Sequence, residues 1–148
     1  TTMQNLESIT VYAANCCGNP TNCLYPYRID ITDEASAAEA FSRDIVCAEY
    51  RNNYRSVENF LIANALPMDC DNDHSNDPSL WITAEDIEAF FPDVTYLIHY
   101  SRHHMKPKGD LSSRPRFHVI FLIDTITNPD TYARLKQRVA EIFPFWSS

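Results

Sequence analysis

The segment Leu66-Pro67-Met68-Asp69-Cys70-Asp71-Asn72-Asp73 constrains this chain most. It reads as a short strand that runs into an acidic loop. Side chains alternate across a strand, so Leu66, Met68 and Cys70 share one face and Asp69 and Asp71 the other. The apolar face packs inward, which leaves two carboxylates side by side at the strand's end. Like charges that close call for a counter-charge, and carboxylate oxygens suit hard divalent ions such as Mg²⁺ and Mn²⁺. The same Asp and Asn residues also serve as ordinary turn formers, so an Asx-rich turn is the competing reading.

At 148 residues the chain has the length of one domain with a real core. No apolar run approaches the ~20 residues of a membrane-spanning helix. No basic, then apolar, leader is visible at Thr1-Thr2-Met3-Gln4. The expected setting is therefore the cytoplasm, with no membrane partner. The net charge of −8 excludes a protein that grips nucleic acid over its whole surface. Any such contact must come from a local patch. One exists: Arg102, His103, His104, Lys106, Lys108, Arg114 and Arg116 surround a single acid, Asp110, in 15 residues. A solvated basic loop is the plainer account of that patch. The five cysteines, Cys16, Cys17, Cys23, Cys47 and Cys70, are odd in number and match no standard zinc spacing, so they are expected as reduced thiols.

Strands are expected over 8–14 and Tyr27–Ile31. Thr32 or Asp33 caps a helix through about Arg43. Residues 45–60 are ambiguous, with Ile45–Ala48 as a short strand. The acidic strand follows near 61–71, then a loop over 72–81. Thr83 caps a helix that Pro92 ends. Thr95–Tyr100 is a strand, 102–115 a mobile basic loop, and Phe117–Ile123 a strongly apolar strand. Asn128 or Asp130 caps a last helix with Tyr132, Leu135, Val139 and Ile142 in one stripe. Mixed strands and helices without a linker predict one α+β domain over 1–148, with its helices on one face of a sheet.

Arg114-Pro115-Arg116-Phe117-His118-Val119-Ile120-Phe121 is the second informative segment. Alternation puts Phe117, Val119, Phe121 and Ile123 on one face and Arg114, Arg116 and His118 on the other. Arginine forks match phosphate oxygens, and histidine also donates to them. One strand then presents a phosphate-binding row and another a metal-binding pair. The competing readings are a half-buried strand histidine bonded to a neighbour, and two solvated arginines at the strand's start.

An apolar strand ending Asp-x-Asp, then a helix, a strand and a strand carrying x-His, resembles the archaeo-eukaryotic primase superfamily. More narrowly, it is similar to the primase–polymerase domains of Firmicutes mobile elements. The matching text is Leu66–Ser75, His99-Tyr100-Ser101-Arg102, His104-Met105-Lys106 and Arg114–His118. The resemblance spans about residues 8–145 and implies an RRM-like catalytic sheet with helices on one face. It implies Asp69 and Asp71 as catalytic ligands of Mg²⁺ or Mn²⁺, and His118 as the contact to the incoming triphosphate. Charge and position add Arg114 and Arg116 to the nucleotide site, and Arg102, Lys106 and Lys108 as contacts to single-stranded or primer–template nucleic acid. The family's third motif, an acid-bearing strand past the last helix, has no counterpart in Ile142–Ser148, and Asp124 comes too early to supply it. The resemblance therefore implies a C-terminally shortened domain.

Two functions of different class follow. One is a primase/polymerase-type nucleotidyltransferase of a mobile genetic element that binds metal–nucleotide and nucleic acid. The alternative is a catalytically incomplete primase-like binder from a phage or mobile element. Its partner would be a host defence complex, as for an anti-CRISPR or anti-restriction inhibitor, since acidic small proteins can fill DNA-binding grooves. A metal-dependent nuclease fits Asp69, Asp71 and His118 but lacks a further acid or lysine nearby.

Overall fold

A computed structural model describes residues 2–4 and 8–147, with side chains from residue 8 onward. The strands are β1 (Thr2–Gln4), β2 (Ile9–Ala13), β3 (Tyr27–Ile31), β4 (Ile45–Val46), β5 (Ala48–Tyr50), β6 (Phe60–Cys70), β7 (Tyr96–Tyr100), β8 (Lys106–Lys108), β9 (Leu111–Arg114) and β10 (Phe117–Ile126). The helices are α1 (Glu34–Phe41), α2 (Ala84–Phe90) and α3 (Pro129–Ile142). The main sheet is antiparallel with order β1-β7-β10-β6-β5; β3-β2-β4 form a second sheet and β8-β9 a hairpin.

Local chemistry sets the helix starts. Asp33 accepts from Ser36 N, and Thr83 from Asp86 N, each in a reciprocal capping box. Asn128 accepts from Asp130 N and Thr131 N ahead of Pro129, whose fixed φ suits the first turn. The caps are thus Asp33 and Asn128 rather than Thr32 and Asp130.

The α+β class stands, but the helices do not share one face. On one side of the main sheet, Leu66, Met68, Cys70, Phe117, Val119 and Phe121 pack with Ile87 of α2, with Leu135 and Val139 of α3, and with Trp146. On the other, Ala65, Leu97 and Ile120 pack against Ile9, Val11 and Ile31 of the second sheet and Ala37 and Ala40 of α1. The cause lies in β10, where Ile120 on the second face is as buried as Val119 and Phe121 on the first. A strand apolar on both faces needs a layer on both.

The last part of β6 is an edge, because β5 pairs only as far as Ala63. Side chains and the C-terminal tail close it. Tyr132 Oη donates to Ala65 O at 2.7 Å, Ser147 N donates to Asp69 O at 2.8 Å, and Asp71 N donates to Ser147 Oγ at 3.0 Å. Pro67 stands on the same edge, where its missing N–H leaves no donor unpaired. No helix among the described residues is long and apolar enough to cross a membrane. The five cysteines are free thiols, with Cys47 and Cys70 buried.

Candidate functional site

Register decides which side chains meet. His118 on β10 lies opposite Asp69 on β6 and opposite His99 on β7. Directly opposed residues point to the same face, so Asp69, His118 and His99 form one row across three strands. His118 Nδ1 bonds Asp69 Oδ1 at 2.5 Å. The acidic and histidine strands are thus neighbours, as their alternation predicts. Asp69, Asp71 and His118 all line one cleft of about 790 Å³.

The pair shifts both titrations. The hydrogen bond that Asp69 accepts raises the His118 pKa above its ordinary value, and the charges of Asp69 and Asp71 add to this against the opposing effect of burial. The same bond lowers Asp69, helped by the charges of His118 and Lys136. His99 behaves oppositely: burial, then the charge of His118, push it down to about 4. Its ring stacks on Phe41 at 3.9 Å and lies nearly parallel to His118 at 6.3 Å. Asp69 thus favours the protonated form of His118, whereas His99 beside it is neutral at neutral pH. With Nδ1 held by Asp69, the other nitrogen of His118 is left for a ligand.

Asp71 and Asp73 flank Asn72, which is fully buried at φ 55°, a left-handed conformation that asparagine tolerates. Its side chain donates to Ile82 O and Pro115 O, both at 2.9 Å, and accepts from Ile82 N at 2.8 Å. This pins the acidic loop to the start of β10. Both acids then approach one nitrogen, Nη1 of Arg116: Asp73 at 2.8 Å and Asp71 at 4.0 Å.

The two arginines of the second segment differ from their expected roles and from each other. Neither is solvated; both are fully buried. Arg114 does not present donors to a phosphate. Nε donates to Ser112 O (3.1 Å), Nη1 to Asn72 O (2.9 Å) and Ser75 O (3.0 Å), and Nη2 to Asn76 Oδ1 (2.9 Å) and Ser112 Oγ (3.1 Å). All five N–H groups are used, and the guanidinium also lies 5.1 Å above the Trp81 ring. Arg114 is a clamp on the 72–82 loop. Arg116 lines the cleft.

The basic segment is a hairpin rather than a loop. Lys106–Lys108 pair with Leu111–Arg114, and Gly109 at φ 58° makes the turn. Lys106 and Lys108 are exposed, and Lys108 and Arg102 line the cleft. The cleft gathers six Arg/Lys (Arg43, Arg55, Arg102, Lys108, Arg116, Lys136) against three acids (Asp44, Asp69, Asp71). One of those acids is already engaged, since Asp44 accepts from Gly18 N at 2.7 Å and Asn19 N at 2.9 Å. In a chain of charge −8 this cavity is locally cationic. Arg43, Arg55 and Lys136 carry no sequence signal, because they come from two connections and a helix far apart in the chain that only the fold brings together. Phe41 and His99 were missed for the same reason.

Among the described residues no three or more His, Cys, Asp or Glu side chains cluster at metal-ligating separation. Asp69 and Asp71 offer two carboxylates to the cleft. That is a donor set of the kind that holds Mg²⁺ when waters and substrate phosphates complete the shell. Asp124 lies elsewhere, lining a separate cavity with Asp93 at the far end of β10. No family model, curated protein or solved structure matches the chain.

Proposed function

We propose that the cleft binds a nucleoside triphosphate as its Mg²⁺ or Mn²⁺ complex, in a nucleotidyltransferase-type site of the primase–polymerase kind that the sequence resembles. The observation that carries this reading is the in-register apposition of Asp69 and His118 inside a cleft lined by more cations than acids. Its volume suits a nucleotide, since small-molecule sites run roughly 300–1,000 Å³. The chain order β6-α2-β7-β10-α3, with β10 between β7 and β6, supports an RRM-like sheet.

Asp69 fixes the His118 ring and favours its protonated form, in which the remaining N–H donates to a phosphate oxygen. Arg116 supplies a buried cation beside it. Asp69 and Asp71 would hold the divalent ion, which would offset charge on the phosphates. Arg102 and Lys108 lead a nucleic-acid backbone toward the cleft, with Lys106 exposed on the same hairpin. Two carboxylates make a site that binds better than it polymerises.

The second reading, a primase-like binder acting on a partner complex, is favoured by charges that are already paired within the chain: Asp69 with His118 and Asp73 with Arg116. Manganese paramagnetic-resonance titration with and without a nucleoside triphosphate tests the first. Wild type should bind Mn²⁺ with nucleotide present, and Asp69→Ala/Asp71→Ala should not; equal binding removes the metal–nucleotide site. Primer extension then separates the two functions, because robust metal-dependent product abolished by Asp71→Ala rules out the binder.

A further inference from the structure

Two buried arginines stand two residues apart in this chain, and only one is satisfied. Arg114 uses every donor it has. Arg116 is as deeply buried, yet among the described residues none of Nε, Nη1 and Nη2 has a hydrogen-bond partner. Asp73 lies 2.8 Å from Nη1 and supplies charge, but without hydrogen-bond alignment. An unmade bond on a buried charged donor is costly, so the guanidinium is built for acceptors it does not have at rest.

We propose that Arg116 is a seat for a phosphate oxyanion and that Asp73 occupies it as an internal stand-in, which the ligand phosphate displaces. This rests on the nucleotide reading above and adds how the site selects its ligand. The exchange is asymmetric. The Asp73 side chain is 45% exposed and can turn to water, whereas the Arg116 side chain, 1% exposed, cannot leave. A tetrahedral phosphate presents oxygens in several directions and can take two donors of the planar fork at once. A monoanion only trades places with the carboxylate, whereas a multiply charged phosphate gains on it. Asp73 thereby sets a threshold that favours polyphosphates. It also lowers apparent affinity by the fraction of molecules in which the seat is taken.

The test is calorimetric titration of inorganic pyrophosphate into the full chain at fixed ionic strength without divalent metal. Asp73→Asn should bind at least about fivefold tighter than wild type, within the usual range of coupling between exclusive ligands. Folded Asp73→Asn with equal or weaker affinity overturns the displacement and leaves the nucleotide reading standing. No binding by either form overturns the seat itself. Asp73→Asn also removes a counter-charge from a buried guanidinium, so a second measurement uses wild type alone. The side-chain carboxyl carbon resonance of Asp73 should shift as pyrophosphate saturates the protein, and an unmoved resonance at saturation overturns the proposal.

Discussion

Replacing Arg114 by methionine keeps an unbranched side chain and removes the charge and all five donors. The acceptors left behind are the carbonyls of Asn72, Ser75 and Ser112 and the side-chain oxygens of Asn76 and Ser112. Each hydrogen bond contributes roughly 0.5–1.5 kcal/mol net, so five give roughly 2.5–7.5 kcal/mol. Ser112 and Asn76 are exposed, so water can replace Arg114 there; Asn72 is fully buried. About 3 kcal/mol is the working figure. For a chain of this size that is a fall in Tm of about 6–12 °C. Thermal and urea unfolding of wild type, Arg114→Met and Arg114→Lys would measure it. Lysine restores charge at one point but not the fork, so it should recover only a minor part of the loss. Hydrogen exchange should rise across residues 72–82. Full recovery by lysine, or a loss under about 1 kcal/mol with unchanged exchange, would refute the clamp. If folded Arg114→Lys lost nucleotide binding while keeping its stability, Arg114 would be the phosphate contact that alternation suggests.

The Asp69–His118 pair should be strongest over a middle pH window. The raised pKa of His118 stabilises the fold below its unfolded value of 6.5 and is lost as pH rises through the folded value; the lowered pKa of Asp69 stabilises above 3.8 and is lost as pH falls through its folded value. The Tm gap between wild type and Asp69→Asn should therefore peak near pH 5–6, and His118 should titrate lower by NMR in the variant; a gap flat with pH argues against the pair. On the hairpin, Lys106→Glu with Lys108→Glu should weaken oligothymidylate binding and lower its log–log salt slope by about 1.4, at about 0.7 per lost contact. An unchanged slope would leave β8 as mere solvated surface.

Much of the site was legible because strand periodicity is a local property. A period of 2 places Asp69 beside Asp71 and opposite in facing to Leu66, Met68 and Cys70, whatever the rest of the chain does. The same rule, applied from Phe117 onward, turns His118 away from Val119 and Phe121. Helix starts were nearly as clear, because Asp33, Thr83 and Asn128 act on backbone groups two or three residues away. Arg114 was misread where the rule was carried through Pro115. Arg114 ends β9 of the hairpin and β10 begins only at Phe117, so the two segments do not share one alternation.

By itself, then, the sequence determined the polar and apolar faces of β6 and β10, the approximate helix starts and a pair of acids requiring a counter-charge. Tertiary structure alone decided what those acids meet. Antiparallel register set Asp69 against His118, a relation between residues 49 apart in the chain. The fold drew Arg43 from the α1–β4 turn, Arg55 from the β5–β6 connection and Lys136 from α3 to the lining of the same cleft. It also made one arginine a saturated clamp and its near neighbour an unsaturated cation, although both sit in one short basic run. The physical reason is reach. Periodicity and capping act over a few residues, whereas burial, pairing and the pKa shifts depend on atoms that neighbour each other only after the sheet has closed.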